Sequence, residues 1–380
     1  MWKNSWDLLR KHRDLRLLFC SNALWTFGAM LYSFVWPNYV RDLGGSAREI
    51  GLLTSLMFAT IALTLLPGGW LADRFERKRL MLVTWGLATL APIFYITAQT
   101  WTGLIPGAIL YCVFLGWPAV EAYMADAVPP SSMARAFTQA NAGYSLGAIL
   151  SPPLGAALLP HVGMRGLFWL AFVFFIASTC VLAMLTPQRP TAQRVRLNLK
   201  EVVADRGLLL WTGLFIVAAW ASSALRPFLS PYFEDVLGLE RPWILATSSL
   251  LALGEVVLTP LLGHLGDRDS PRALAGGLWA LAVGCLLLLF GGVWGLVPAA
   301  LFLGGDRVSA SLFRSTIGKQ VIVRRGTVFA GTLVLASLAE ALGPLAGARL
   351  YALAPQGPIW LAMGLASILG GLAWMKRGKT

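Results

Sequence analysis

Uncharged, apolar stretches about twenty residues long follow one another along almost the whole chain. A helix rises about 1.5 Å per residue, so roughly 20 such residues cross the ~30 Å hydrocarbon of a bilayer. A backbone surrounded by lipid must also satisfy its own hydrogen bonds, as a helix does. The stretches Leu17 to Val40, Ile50 to Ala72 and Leu80 to Ala98 come first. After the break at Gln99-Thr100-Trp101-Thr102-Gly103 follow residues 104–125, Ala136 to Pro160 and Gly166 to Thr186. Residues 208–233, 243–266, 273–292, 294–316, 327–353 and 358–375 complete the set. The expectation is an all-α integral membrane protein of twelve transmembrane helices. Residues 187–206, with seven charges among Pro, Gln and Asn, read as a cytoplasmic linker between an N-terminal half, 1–186, and a C-terminal half, 207–380. The first stretch is longer than a signal-peptide apolar region and no small-residue cleavage site follows it, so it reads as a retained helix.

Composition agrees and removes several function classes. Only 13% of the 380 residues are charged and 57% are hydrophobic, where soluble proteins carry about 25% charge; a soluble enzyme is excluded. The net charge of +13 would suggest a nucleic-acid partner, but too few polar residues are present to build a basic face. Topology explains it instead. With a cytoplasmic N-terminus, 24 of the 31 Lys+Arg fall on inner segments, only Arg41, Arg48, Arg165, Arg241 and Arg349 fall outside, and Arg226 and Arg307 lie within spans. The positive-inside rule then sets both termini in the cytoplasm of a plasma (inner) membrane protein. Cys20, Cys112, Cys180 and Cys285 sit in apolar runs without metal-ligand spacing, so no disulfide framework or metal site is expected.

The halves repeat each other. An offset of 194 pairs Pro37 with Pro231, Leu43-Gly44 with Leu237-Gly238, Gly69 with Gly263, and Asp73-Arg74 with Asp267-Arg268. In the fifth and eleventh spans the offset becomes 192, pairing Ser151-Pro152 with Gly343-Pro344 and Gly155 with Gly347. A duplicated six-helix unit is the simplest account.

The turn after the second span reads Gly69-Trp70-Leu71-Ala72-Asp73-Arg74-Phe75-Glu76-Arg77-Lys78-Arg79. It resembles the loop signature G-x-x-x-D-R-x-G-R-[RK] of the major facilitator superfamily, with Glu76 at the second glycine; the copy at 263–272 is more degenerate. A basic turn obeying the positive-inside rule would explain Arg77, Lys78 and Arg79, but not Asp73 or its return 194 residues later. The resemblance implies two pseudo-symmetric six-helix bundles that expose a central site alternately to each side. It also implies a conformational latch at Gly69, Asp73, Arg74 and Arg77, with Asp126 as a partner, and at Asp267 and Arg268 in the second copy.

Charges inside the spans mark the candidate chemistry. Glu121, Arg226, Glu255, Asp306, Arg307 and Glu340 lie within them, and each costs at least about 2.5 kcal/mol if left facing lipid. They must therefore face the interior, whereas the third, sixth, ninth and twelfth spans carry no charge and can face lipid. Glu255 and Asp306 fall near mid-depth. The three acids Glu255, Asp306 and Glu340 outnumber the two arginines, so at least one acid lacks a fixed partner and can carry a proton; the alternative is static ion pairing. Arg226 can reach towards Glu234 or Asp235, or bind an anionic substrate. Asn22, Tyr32 and Asn141 are the expected polar lining of a substrate cavity.

The fifth span carries Gly143, Gly147, Ser151 and Gly155 at i, i+4 spacing, a ridge that admits a neighbouring helix. Its Gly147-x-x-x-Ser151-Pro152-Pro153-Leu154-Gly155-Ala156 is similar to the family's antiporter signature G-x-x-x-G-P-x-x-G-G, which favours efflux. No G-x-x-x-x-G-K-[ST] loop supports an ATP pump, His12, His161 and His264 all lie at span ends, and no metal or nucleophile constellation appears. Two functions remain: a proton-coupled exporter of small amphipathic organic compounds, or a proton symporter importing an organic anion or sugar-like nutrient. Either would draw on the proton gradient rather than a cofactor and act, as a monomer, on a small-molecule substrate in the lipid bilayer.

Overall fold

The computed structural model describes residues 7–128, 133–189, 206–320 and 325–376. The linker expected at 187–206 therefore lies largely outside the described residues. Among those described there is no strand. The helices are α1 (Asp7–Lys11), α2 (Arg13–Met30), α3 (Trp36–Asp42), α4 (Ala47–Ala72), α5 (Arg77–Thr89), α6 (Ala91–Thr97), α7 (Ile105–Tyr111) and α8 (Trp117–Asp126). They continue as α9 (Met133–Ala183), α10 (Arg206–Asp235), α11 (Arg241–Arg268), α12 (Ser270–Phe290), α13 (Leu296–Leu303), α14 (Gly305–Gln320), α15 (Arg325–Leu353) and α16 (Gly357–Met375).

Local chemistry sets these boundaries. Proline occupies the first turn of α3, α6, α7, α8, α11, α12 and α16, where its missing N–H costs nothing. The paired glycines of the repeat share one conformation: Gly44 has φ +83° and Gly238 φ +65°, so both turns use the left-handed region in which a side chain is strained. Asp269 caps α12 by accepting from the Arg272 N–H at 3.1 Å.

Nine helices among the described residues are long and apolar enough to cross a membrane, where the sequence suggests twelve. The first expected span is divided, because α2 ends at Met30 and carries Arg13, Asp14 and Arg16, and α3 begins only at Trp36. The fourth is divided at Cys112–Gly116 into α7 and α8. The fifth and sixth run together in α9, whose apolar stretch Ala142–Ala183 has 42 residues, about twice a single crossing. Gly163 at φ +65° and ψ −179° breaks its helical course.

The chain divides into two compact units. The first comprises Met1–Gly44, Thr60–Arg194 and Arg241–Ser249; the second comprises Gly45–Ala59, Val195–Glu240 and Leu250–Thr380. The core of the first includes Leu15, Leu18, Met81, Trp85, Tyr123 and Leu182. That of the second includes Trp211, Phe215, Leu274, Leu278, Phe313 and Ala373. The glycines that the sequence repeat pairs, Gly155 and Gly347, are closely packed against a neighbouring helix in both. In the first, a Cβ on Gly147 would lie 2.8 Å from the Phe27 nitrogen and one on Gly155 2.6 Å from the Leu31 carbonyl oxygen, so α9 runs against α2. In the second, a Cβ on Gly347 would lie 2.1 Å from the Ala224 carbonyl oxygen, so α15 runs against α10. One uncharged span differs from expectation: α12 buries 61% of its apolar stretch, because Ala273, Leu274, Ala275 and Leu278 pack into the core of the second unit.

Candidate functional site

A cavity of about 380 Å³ lies within the second unit. On α10, Phe215, Ala218, Ser222 and Arg226 follow at i, i+3, i+7 and i+11, which puts them on one helix face. α14 contributes Asp306, Arg307, Ala310 and Arg314; α11 contributes Glu255 and α15 Glu340. Leucines of α12 and alanines of α16 complete the wall. Arg226, Glu255, Asp306, Arg307 and Glu340, five of the six charges expected inside spans, thus meet in one place.

Their pairing is uneven. Asp306, 16% exposed, accepts from the Ser222 hydroxyl at 2.7 Å and from Arg226 Nε at 2.7 Å, with the Arg226 terminal nitrogen on the same oxygen. Three donors offset the cost of holding a carboxylate away from water. Arg226 therefore pairs with Asp306, and not with Glu234 or Asp235; Asp235 accepts from the Tyr351 hydroxyl at 2.7 Å. Arg307 Nε stands 3.8 Å from Glu255 Oε2, an ion pair beyond hydrogen-bond reach. Glu340 makes no ion pair or hydrogen bond among the described residues, and Arg226, Arg314 and Asp306 are the charges that act on it. Glu121 lies outside this set: it accepts from the Trp117 indole at 3.1 Å and is exposed.

A second cavity, of about 290 Å³, lies within the first unit and has no charged residue among the described residues of its wall. Asn22 lines it, with Trp25, Trp85, Tyr111, Phe114, Trp117 and Tyr144. Tyr32 is not among its lining residues. It is 3% exposed, with ring centroids 4.9 Å from Phe168 and 6.1 Å from Tyr95, so its surroundings give it a packing role. The side chain of Asn141 lies outside those described.

The expected latch residues are spread out. Arg77, at the start of α5 and 7% exposed, ion-pairs with Asp126, donates to the Ala122 carbonyl at 3.0 Å and to Gln188 Oε1 at 3.0 Å. Asp73 is exposed with no ion pair among the described residues, and Arg74 stacks 4.0 Å from the centroid of Trp70. Gly69 has open space where a Cβ would sit. Glu76 has φ −58°, so this turn needs no glycine there, and it pairs with Arg79 at 3.0 Å. Asp267 and Arg268 end α11, exposed and without an ion pair among the described residues. In the helix-five signature Gly147 and Gly155 contact α2, the neighbouring Ser151 hydroxyl donates to the Phe27 carbonyl, and Pro152 lies inside α9.

Three residues of interest escape the sequence reading. Ser222 stands one turn before Arg226, and Arg314 stands two turns beyond Arg307, both at helical spacing from a charge already singled out. Trp85 looks like any apolar-run aromatic, and nothing in the sequence distinguishes it.

A chain of long apolar helices that collects its charges in an internal cavity has the build of a multi-pass membrane protein with a polar internal site. It belongs to the Major Facilitator Superfamily, whose family profile matches residues 18–321; it is not an enzyme. It is 28% identical over 269 residues to the Multidrug resistance protein MdtG of Enterobacter lignolyticus, covering 67% of this chain and 64% of that protein. The same protein of Salmonella typhimurium matches at 28% over 269 residues, 67% of this chain and 66% of the relative. The chain thus spans just under two thirds of these relatives' length. Among solved structures, a bacterial homolog of the human lysosomal transporter Spinster, inward-facing and occupied, has TM-score 0.75 at 18% identity, covering 96% of this chain and 97% of that one. A POT family transporter in complex with 5-aminolevulinic acid has TM-score 0.76 at 14% identity, covering 97% and 96%. These likenesses show the fold.

Proposed function

We propose that the protein is a secondary active transporter, working by alternating access, that exports small amphipathic organic compounds in exchange for protons. It does so as a monomer of twelve transmembrane helices in two pseudo-symmetric six-helix halves, 1–186 and 207–380 joined by 187–206, in the inner membrane with both termini cytoplasmic. The observation that carries the reading is the uneven pairing in the second-unit cavity. Asp306 is held by Ser222 and Arg226, Glu255 is opposed by Arg307, and Glu340 has no fixed partner among the described residues. An acid in that position binds and releases a proton at the smallest structural cost, because no ion pair must break first. Glu340 is the coupling acid in this reading, with Asp306 and Glu255 holding the arginines. The names of the MdtG relatives and the helix-five signature support the outward direction. Arg77 with Asp126 forms the latch of the first half.

The test is proton exchange in everted vesicles. Adding a transported amphiphile is expected to release protons from vesicles of the unaltered protein, and Glu340→Gln is expected to abolish the release while substrate still binds. Full exchange in Glu340→Gln overturns the assignment. Asp306→Asn and Glu255→Gln then identify whether another acid serves.

One observation favours import of an organic anion: Arg314 adds a third guanidinium to the cavity wall. Overproduction separates the two. Raised resistance to toxic amphiphiles supports export, whereas unchanged resistance with accumulation of an anionic nutrient supports import.

A further inference from the structure

A third cavity, of about 310 Å³, opens where α1 gives way to α2, and it shares no described lining residue with the other two. His12 has an extended backbone, φ −110° and ψ 109°, that separates the two helices. The chain turns there so that Lys11, His12 and Arg13 all line the cavity. Residues from the end of α8 and from the segment that follows α9 complete the wall, so the whole cavity belongs to the first unit.

The charges of this wall are unequally committed. Asp14 lines it too, but one carboxylate oxygen accepts from the Tyr123 hydroxyl at 2.7 Å, and the other accepts from the Thr186 hydroxyl at 3.3 Å and N–H at 3.4 Å. Lys11 and Arg13 are exposed, and neither side chain makes an ion pair or hydrogen bond among the described residues. An ammonium and a guanidinium left open to a polar hollow are the groups that hold a phosphate, one as a point charge and the other as a planar fork. The wall behind them is already fixed. The Gln188 carbonyl accepts from the Arg77 N–H at 3.1 Å and its Oε1 from the Arg77 guanidinium at 3.0 Å, which leaves the Gln188 amide NH2 to donate. Arg77 also holds Asp126, the neighbour of the lining residue Ala127. A ligand entering here therefore does not have to order its own site.

Position along the helices indicates which phosphate. Thr186 closes the sixth expected span and Arg13 stands four residues before the first, so the cavity lies at headgroup depth. Basic pockets between helix ends at that depth attract anionic lipids. A zwitterionic headgroup would bring its own cation against Lys11 and Arg13. We propose that this cavity is a binding site for the phosphodiester headgroup of an anionic phospholipid of the phosphatidylglycerol type, held by Lys11 and Arg13 with the Gln188 amide as a neutral donor. Only the assignment of that lipid to the inner leaflet rests on the topology in the proposed function.

Native mass spectrometry of the purified full-length protein, titrated with dioleoylphosphatidylglycerol in neutral detergent micelles, measures the affinity. Lys11→Gln with Arg13→Gln is expected to weaken binding about thirtyfold, the contribution of two basic residues near a lipid surface. Arg79→Gln with Lys376→Gln removes the same charge from exposed positions outside the cavity and is expected to leave the affinity unchanged. Lys11→Arg with Arg13→Lys keeps the charge and is expected to bind as the unaltered protein does, which separates charge from folding. Phosphatidylethanolamine with the same acyl chains is expected to bind about tenfold more weakly, and soluble glycerol phosphate is expected not to compete. Unaltered affinity in the first pair, an equal loss in the second, or a loss in the charge-keeping pair overturns the proposal. Phosphatidylethanolamine binding as tightly as phosphatidylglycerol, or competition by glycerol phosphate at the lipid's own concentration, overturns it as well. Micelles have no sides, so an inverted topology would move the lipid to the other leaflet and leave the site standing. Lost binding with the topology intact removes the site alone.

Discussion

Single side chains decide how closely helices approach in this protein. Gly347 leaves no room for a methyl group against the Ala224 carbonyl, whereas Gly69 faces open space. Gly347→Ala is expected to destabilise the protein by about 1–3 kcal/mol, the usual cost of overpacking, read as a lower unfolding temperature in detergent. Gly69→Ala is expected to leave that temperature unchanged, although Gly69 opens the signature loop. A second residue-scale expectation concerns Arg226. Removing it alone, as Arg226→Met, leaves Asp306 with Ser222 as its remaining donor among the described residues, and should destabilise more than the double change Arg226→Met with Asp306→Leu, because an unpaired buried charge costs more than no charge. Thermal unfolding of the three proteins checks the order. The sequence made the small-residue ridge and the intramembrane charges visible, since their residue types are costly anywhere else in a membrane. It did not disclose the partners: whether Arg226 turns towards Asp306 or Asp235 depends on which helices meet, and neither periodicity nor hydropathy carries that information.

At the scale of the element, apolar length located the helices well and their interruptions poorly. The runs at 50–72, 208–233 and 358–375 correspond to α4, α10 and α16 within a few residues. The breaks at Leu31–Val35, Cys112–Gly116 and Gly304 fall inside equally apolar sequence, and hydropathy does not register a backbone turn that stays in an apolar setting. The start of α5 illustrates what does fix an end. Arg77 takes the Asp126 carboxylate, the Ala122 carbonyl and Gln188 at once, a geometry that uses the planar fork of a guanidinium. Arg77→Lys keeps the charge but offers a point donor. It is expected to lose about 1–3 kcal/mol of stability, the range of one or two charge-assisted hydrogen bonds, and Asp126→Asn is expected to lose less because Asp126 is 40% exposed. Chemical denaturation of the two variants in micelles measures the difference.

For the whole molecule, the sequence readings rest on charge bias and duplication, each of which sums over many residues and depends on no one contact. The bias predicts that a fluorescent protein fused after Thr380 matures and fluoresces, whereas an alkaline phosphatase fused there stays inactive; the opposite result would invert the topology. The division into units was not legible in this way. Arg241 reaches across 199 positions to Asp42, with NH2 to Oδ1 at 2.7 Å, and the Ser249 hydroxyl donates to the Ile149 carbonyl at 2.8 Å, so the segment Arg241–Ser249 belongs with the first unit. Gly45–Ala59 belongs with the second. For a chain made from its N-terminus, this sets a timetable. The first unit lacks a piece until well over half of the chain has left the ribosome, and one of the earliest segments waits for partners synthesised last. A chain halted at the linker is therefore an unfinished substrate for membrane quality control rather than a free-standing half, and should be degraded faster than the full protein.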